Sequence, residues 1–253
     1  MIAAEPLCLR VQLTRQDKMR FLSHTEYWRT VMMAARRSGL PLAYTAGYRS
    51  RIRISLSPPL PIGVTSDCEL MDLFLDRYVP AAEAERLLSG SMPGGMEVAA
   101  CRLMGPDAKG VGKLIDTAAY RAFLPGDAGE EADWSRAVEE FLSCEVVTFE
   151  RVQPRRTRVV NLRAGLHALE VRRPAGGEAP EVYMVVDDGT RGTIKPREVL
   201  KALAERAGAP PGVAERAGIN REGLFSRRGE RLVSPMEQVK RRPAARGRGE
   251  RWH

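Results

Sequence analysis

The side chains with the clearest chemical potential are arginines that alternate along one short segment, residues 48–57. On a β-strand, Arg49, Arg51 and Arg53 share one face and stand roughly 6.5–7 Å apart, while the apolar residues between them point to the core. That spacing resembles the phosphate repeat of an extended or A-form nucleic acid strand, and guanidinium groups suit phosphate because they donate paired hydrogen bonds. Because no acidic residue interrupts the row, the pattern predicts contact with a polyanion. A solvated sheet face, or one paired with acids elsewhere in the chain, is the alternative.

Aromatic and basic residues elsewhere extend this prediction. Tyr48, next to the arginine row, carries a ring that either stacks on a nucleobase or packs within the sheet. A second run without acids, residues 151–163, adds three candidate contacts to nucleic acid: Arg155, Arg156 and Arg158. The C-terminal segment from residue 240 carries six basic residues and one acidic residue, beginning with Lys240, Arg241 and Arg242. It is predicted to be either an electrostatic arm for phosphates or a solvated tail.

His24 is the strongest candidate for acid–base chemistry. Ser23 and Glu26 match a helix capping box, which places His24 at the positive end of a helix, where the dipole favours a neutral imidazole. A neutral imidazole in that position is suited to act as a general base, and packing against a neighbouring aromatic residue is the alternative. His167 lies within a strand pattern and is predicted to be structural.

Several other constellations are excluded by their spacing. The cysteines lie more than 30 residues from one another, so neither a zinc nor an iron–sulfur motif is formed, and no metal or cofactor is predicted. Glu69 and Asp72 have an odd offset and point to opposite faces of an unbulged strand, which disfavours a catalytic pair. Residues 105–113 are rich in glycine but lack the Gly-x4-Gly-Lys-[Ser/Thr] order of a phosphate loop, so a flexible linker is predicted.

The elements that must position these residues follow a β-α-β-β-α-β order over residues 1–104, which predicts a ferredoxin-like α+β domain. Helices would cover one face of its sheet and leave the other face open for the arginine row. Residues 105–117 are predicted to be a linker, and residues 118–235 a second α+β domain that is possibly ferredoxin-like. Residues 236–253 are predicted to be a disordered basic tail.

The composition of the chain excludes some classes of protein. The chain has 253 residues, of which 43% are hydrophobic and 28% charged, with a net charge of +8. The apolar fraction is sufficient for a core, which excludes a wholly disordered chain. No stretch approaches 18 uncharged apolar residues, and the N-terminus lacks the pattern of a signal peptide, so we expect a cytoplasmic protein.

Several motifs resemble one bacterial family of unknown function, the radical-SAM-linked proteins (domain of unknown function 2344). The motifs are Met-Arg-Phe-Leu-Ser-His at 19–24, Ala-Arg-Arg-Ser-Gly-Leu-Pro-Leu-Ala-Tyr at 35–44, Pro-Leu-Pro-Ile-Gly-Val at 59–64, and Gly-Thr-Ile-Lys-Pro at 192–196 followed by Glu-Val-Leu at 198–200. Glu69 and Asp72 stand where the family carries its Glu-x-x-Asp strand. The resemblance covers roughly residues 8–235 and is strongest over 19–75.

Two departures from the family pattern affect the candidate site. The family usually has Ser-x-Gly-Phe-Asn-Pro-x-Pro before its second strand, whereas residues 45–52 here read Thr-Ala-Gly-Tyr-Arg-Ser-Arg-Ile. The arginine row is therefore an elaboration of this chain relative to the pattern. Glu26 also replaces the Asp that commonly follows the histidine by two residues.

The resemblance implies an accessory role. Members of the family are encoded beside, or fused behind, a radical SAM protein, often near ribosomal-protein and ribonuclease genes. With the arginine row, this leads to the hypothesis of a non-catalytic RNA-binding or adaptor protein that works with a radical SAM enzyme on RNA or the translation apparatus. Two alternatives remain open, a metal-independent endoribonuclease that uses His24 as base, and a protein-only scaffold for the radical SAM partner.

Overall fold

Two units, each with the element order of a ferredoxin-like fold, make up the described chain. The computed structural model describes residues 5–105, 108–128, 132–153, 156–173, 179–190 and 192–237. The first unit contains β1 (Leu7–Arg15), α1 (His24–Arg37), β2 (Ile54–Leu56), β3 (Thr65–Leu75), α2 (Ala81–Ser89) and β4 (Val98–Leu103). Its strands lie in the order β4-β1-β3-β2 and all of its pairs are antiparallel. The predicted ferredoxin-like β-α-β-β-α-β unit is therefore confirmed.

Local sequence accounts for these elements. Leu9, Val11 and Leu13 alternate along β1 and are fully buried, so one face of the strand faces the core. At the start of α1, the Ser23 side chain accepts from the backbone N–H of Glu26 at 3.3 Å, and the Glu26 carboxylate accepts from the backbone N–H of Ser23 at 2.8 Å. This reciprocal pair is the predicted capping box, which satisfies two backbone donors that have no partner within the helix.

The second unit repeats the same order with an insertion. It contains β5 (Thr117–Phe123), α3 (Trp134–Ser143), β6 (Thr148–Gln153), β7 (Arg156–Asn161), β8 (Leu166–Arg172), β9 (Glu181–Asp187), α4 (Pro196–Ala207), α5 (Val213–Arg216), β10 (Gly218–Arg228) and β11 (Arg231–Val233). The order β10-β5-β9-β8 is the counterpart of β4-β1-β3-β2, so the second unit is ferredoxin-like as well. β6 and β7 form a separate hairpin, and β11 pairs with the end of β10.

Short 3-10 helices complete the secondary structure of the described residues. They span Asp17–Phe21, Val111–Lys113, Gly126–Ala128 and Arg163–Gly165. No helix in the described part of the chain combines the length and the apolar character needed to cross a membrane.

The two units share one sheet because β3 and β10 pair in parallel. Thr65 lies opposite Asn220 and Ser66 opposite Arg221, while the other end of β3 pairs with β2 along the same edge. The pairing of β1 and β3 changes register between Leu13 opposite Glu69 and Arg15 opposite Ser66, which adds one residue to β3. This bulge places Ser66 and Glu69 on the same face of the sheet, next to the helices of the first unit.

The connection between the units differs from the flexible linker that its glycines predict. Val111 and Ile115 are fully buried, and the backbone N–H of Val111 donates to Asp72 at 2.7 Å. The described residues of 105–117 thus pack against the sheet face of the first unit that its helices leave open. The domain boundaries at 104 and 118 stay a prediction. Of the disordered tail predicted for residues 236–253, the structure describes only residues 236–237. The rest, with Lys240, Arg241 and Arg242, lies outside the described residues.

Candidate functional site

The arginine row lies on a hairpin that precedes β2. The backbone N–H of Thr45 donates to Arg51 at 2.8 Å, and that of Arg53 donates to Ala43 at 2.9 Å. Between these bonds, Ile52 is 5% exposed and packs into the core of the first unit. Burial of Ile52 anchors the base of the hairpin, while the chain bends at residues 46–49.

The hairpin tip presents its cationic and aromatic side chains to solvent. Arg49 and Arg51 are exposed, and Tyr48 is exposed over its entire side chain, so it does not pack within the sheet. Arg53 is half-buried, with its guanidinium 4.7 Å from the centre of the Phe74 ring. Among the described residues, none of the three arginines forms a salt bridge, so their positive charges are not compensated within this part of the chain.

The prediction of one strand face holding all three arginines is wrong in part. β2 begins only at Ile54, and Arg49 lies in the bend, where Gly47 adopts a φ of +116° that a side chain would strain. Arg49 and Arg51 therefore lie at the hairpin tip and Arg53 at its base, so the three arginines form no regular row along a strand.

The arginines of the second basic run, residues 151–163, differ in burial and in pairing. Arg151 donates twice to the Glu198 carboxylate, at 2.7 and 2.6 Å, and both side chains are largely buried. Arg158 is exposed on β7. Arg155 lies outside the described residues, as does the side chain of Arg156. Of this run, only Arg158 is placed by the structure as an exposed cation among the predicted contacts.

His24 lines a cavity of about 370 Å³ at the junction of the two units. Its lining combines both units and their connection: His24, Trp28, Leu56, Ser57, Pro58, Pro59, Gly112 and Gly189. His24 is exposed at the first turn of α1, and Trp28 follows one turn later on the same side of the helix. The sequence singled out His24, whereas the other walls of this cavity come together only through tertiary structure.

A buried ionic cluster lies next to the cavity, and sequence reasoning missed it. Arg221 is fully buried, and it donates to Glu69 and, at 3.4 Å, to Asp188. It also donates to the backbone oxygen of Pro58 at 3.3 Å. Burial opposes the charged form of Arg221, yet Glu69, Tyr120 and Asp188 together raise its pKa above the ordinary value. The charged arginine thus links β10 to β3 and to the end of β9.

A second buried pair stabilises the other face of the first unit. Arg10 donates twice to Asp72, at 2.7 and 2.9 Å, and also to the backbone oxygens of Lys109 and Pro235. Burial, together with the charge of Asp72, raises the pKa of the Cys8 thiol to about 12. Asp72 and Glu69 therefore belong to separate ion pairs, and the geometry places no catalytic carboxylate pair on β3. The alternation along β1 places Arg10 on the face opposite Leu9, Val11 and Leu13, so the sequence pattern gave no signal for its burial.

His167 is paired within the second unit. Its Nε2 lies 2.7 Å from Asp187 Oδ1, and both side chains are about one-fifth exposed, at 18% each. No group of three or more His, Cys, Asp or Glu side chains within the described ranges is arranged to hold a metal ion.

Solved structures and one protein-family model are similar to this chain. A structure described as a crystal structure of a Cbf5-Nop10-Gar1 complex contains a chain that is 12% identical, with a TM-score of 0.42. The alignment covers 84% of this chain and 48% of that one, so the present chain spans about half the length of that relative. A putative glycine cleavage system transcriptional repressor is 8% identical, with a TM-score of 0.23, and the alignment covers 85% of this chain and 97% of the repressor.

The search of curated proteins finds no match. The family model that matches residues 8–196, most of the chain, is described as an uncharacterized protein conserved in bacteria. The matched segment includes the first unit from residue 8 onwards, the cavity and the arginine hairpin, although it ends before Arg221. The chain therefore belongs to this bacterial family, domain of unknown function 2344.

Proposed function

We propose that the protein is a non-catalytic RNA-binding adaptor that works with a radical SAM enzyme on RNA or the translation apparatus. The observation that carries the proposal is the hairpin tip, where Arg49 and Arg51 are exposed without a salt bridge among the described residues. Cations held apart from carboxylates bind phosphate by releasing the counterions that surround a nucleic acid. An arginine already paired with a carboxylate, such as Arg151 with Glu198, has to exchange that partner first.

Tyr48 adds a second element of nucleic-acid recognition to the same tip. Its ring is fully exposed one residue before Arg49, so both of its faces are open to a partner. Bases of single-stranded RNA stack on aromatic side chains, while the neighbouring arginines contact the phosphates. This arrangement favours unpaired RNA over a regular duplex.

Charge reversal at the tip tests RNA binding directly. We expect Arg49→Glu combined with Arg51→Glu to weaken binding of a labelled single-stranded RNA measured by fluorescence anisotropy. The loss of two phosphate contacts should lower the slope of log K against log salt by about 1.4. A matched control is Arg228→Glu combined with Arg231→Glu, because both arginines are exposed on the β10–β11 hairpin and change the net charge equally. An equal loss in both double variants would contradict a site at the tip.

The partner enzyme is proposed from the family resemblance. We expect a radical SAM protein encoded nearby to co-purify with this chain from its native host. Complexes that dissociate after nuclease treatment are bridged by RNA, which agrees with the adaptor proposal. Complexes that survive both nuclease and high salt favour the protein-only scaffold instead, because salt screens exposed charge pairs.

A second candidate function follows from the position of His24 in a cavity. A metal-independent endoribonuclease would use His24 as the base that activates a ribose hydroxyl. Incubating structured RNA with the protein in EDTA distinguishes the two functions. Cleavage that disappears in His24→Ala supports the enzyme, and intact RNA supports the adaptor.

A further inference from the structure

The cavity beside His24 has the size and composition of a site for a small planar ring. A volume of about 370 Å³ lies within the range of ligand pockets, which are mostly apolar with a few polar groups. Trp28 is half-buried and contributes an aromatic wall, while Leu56, Pro58 and Pro59 contribute aliphatic surface. None of the described residues that line the cavity carries a carboxylate that would repel a polyanion.

Polar groups for recognising the edge of such a ring are also present in the lining. His24 is exposed and offers ring nitrogens that donate or accept hydrogen bonds. Ser57 is 5% exposed, and its hydroxyl oxygen accepts from the backbone N–H of Leu70 at 3.2 Å. A hydroxyl that accepts one hydrogen bond still has a hydrogen to donate, and Ser57 is one of the residues lining the cavity.

Close packing keeps the cavity rigid. A Cβ at Gly112 would lie 2.9 Å from the Leu56 oxygen, and a Cβ at Gly189 would lie 2.9 Å from Cγ of Pro58. Only glycine permits these two loops to approach the chain at 56–58 so closely. The hydrogen bonds from Arg221 to the backbone oxygen of Pro58 also fix the position of residues 56–58. A preorganised pocket binds its ligand without the entropic cost of ordering its walls.

The cavity and the arginine hairpin lie along one continuous segment of chain. Ser57 lies six positions after Arg51, which is at most about 20 Å of extended chain, or a few nucleotides of an extended RNA strand. We propose that the cavity receives one unstacked base of the RNA whose phosphates contact the hairpin, with its ring against Trp28. This inference rests on the proposed RNA binding and assigns the cavity as the base-recognition part of the same interface.

Substitution of Trp28 tests the assignment. We expect Trp28→Leu, which keeps an apolar side chain but removes the aromatic face, to weaken binding of single-stranded RNA by about 5- to 150-fold. Trp28→Phe should retain most of the affinity because it keeps a ring. A strand of the same length with abasic residues should bind the wild-type protein more weakly, and Trp28→Leu should not weaken it further. Met33→Ala, at an exposed site on the same helix, is the matched control.

The outcomes separate the cavity from the hairpin. If Trp28→Leu binds RNA as tightly as the wild-type protein while the Arg49 and Arg51 reversals still weaken binding, the cavity is not a base pocket. The proposal of RNA binding at the hairpin then stands. An equal loss for the base-bearing and the abasic strand also overturns the base pocket, because the substitution then acts through the fold. If the wild-type protein binds neither strand, the proposed function fails and this inference fails with it.

Discussion

Arg221 offers the sharpest test of how the two units are held together. It is fully buried at the junction, and its guanidinium contacts Glu69, which is 2% exposed, and Asp188, which is 3% exposed. Arg221→Met keeps much of the side-chain volume and removes the charge. Two carboxylates then lie buried without their cation, which is far more costly than the loss of one hydrogen bond.

The expected cost is about 3–5 kcal/mol, the usual range when one partner of a buried ion pair is removed. Since domains are typically stable by about 5–15 kcal/mol, this is a large part of the free energy of unfolding. The comparison substitution is Arg136→Met, whose salt bridge to Glu140 has both side chains about half exposed. Exposed pairs contribute about 0–1 kcal/mol, so this control should change stability little.

The loss of stability in Arg221→Met should also depend on pH. Burial raises the pKa of Asp188 and Arg221 opposes that rise, so removing Arg221 raises the pKa of Asp188 further. A carboxyl whose pKa is raised by folding contributes stability below its unfolded pKa, and that contribution is lost as pH rises through the folded pKa. Arg221→Met should therefore be less destabilising at pH 4 than at pH 7.

Urea denaturation followed by circular dichroism measures both effects. The midpoint should fall strongly in Arg221→Met at pH 7 and barely in Arg136→Met. A free energy of unfolding within about 1 kcal/mol of wild type at pH 7 would refute the view that Arg221 holds the junction through buried charge. A deficit that grows towards pH 4 would refute the role assigned to Asp188.

Two further predictions concern the first unit. Ser23→Ala removes the N-cap of α1, and we expect it to lower the free energy of unfolding by about 1 kcal/mol in urea denaturation. Hydrogen bonds from Ser23 lower the pKa of Glu26. NMR titration of the Glu26 carboxyl should therefore show its pKa rising towards the ordinary value in the variant. Burial also raises the pKa of Cys8 to about 12, so iodoacetamide at pH 8 should label Cys8 at least about a hundredfold more slowly in folded than in urea-unfolded protein, measured by mass spectrometry. The Cys8 contribution to stability should be present below pH 9 and disappear as pH rises towards 12; equal labelling of folded and unfolded protein would contradict the assigned burial.

Periodicity and capping made the first unit predictable, because these signals act over only a few residues. The alternation of Leu9, Val11 and Leu13 and the capping box of Ser23 and Glu26 both correspond to elements of the structure. The segment around Arg51 was harder to predict, since its alternation is that of a strand although the chain bends at residues 46–49. The bend before Arg51 therefore interrupts the strand that the alternation predicts.

The continuous sheet, the buried ion pairs and the walls of the cavity depend on contacts between distant parts of the chain. Arg221 meets Glu69 across 152 residues, and Arg10 reaches the backbone of Pro235 across 225 residues. A sequence pattern identifies such arginines only as charges, and charged residues are ordinarily exposed. Their burial is decided by strand register and by the parallel pairing of β3 with β10. The sequence alone thus determined the order of the elements, their caps and the cationic character of the hairpin. The tertiary structure decided that Arg49 and Arg51 stay exposed whereas Arg10 and Arg221 are buried against carboxylates, because burial and pairing depend on packing between distant segments.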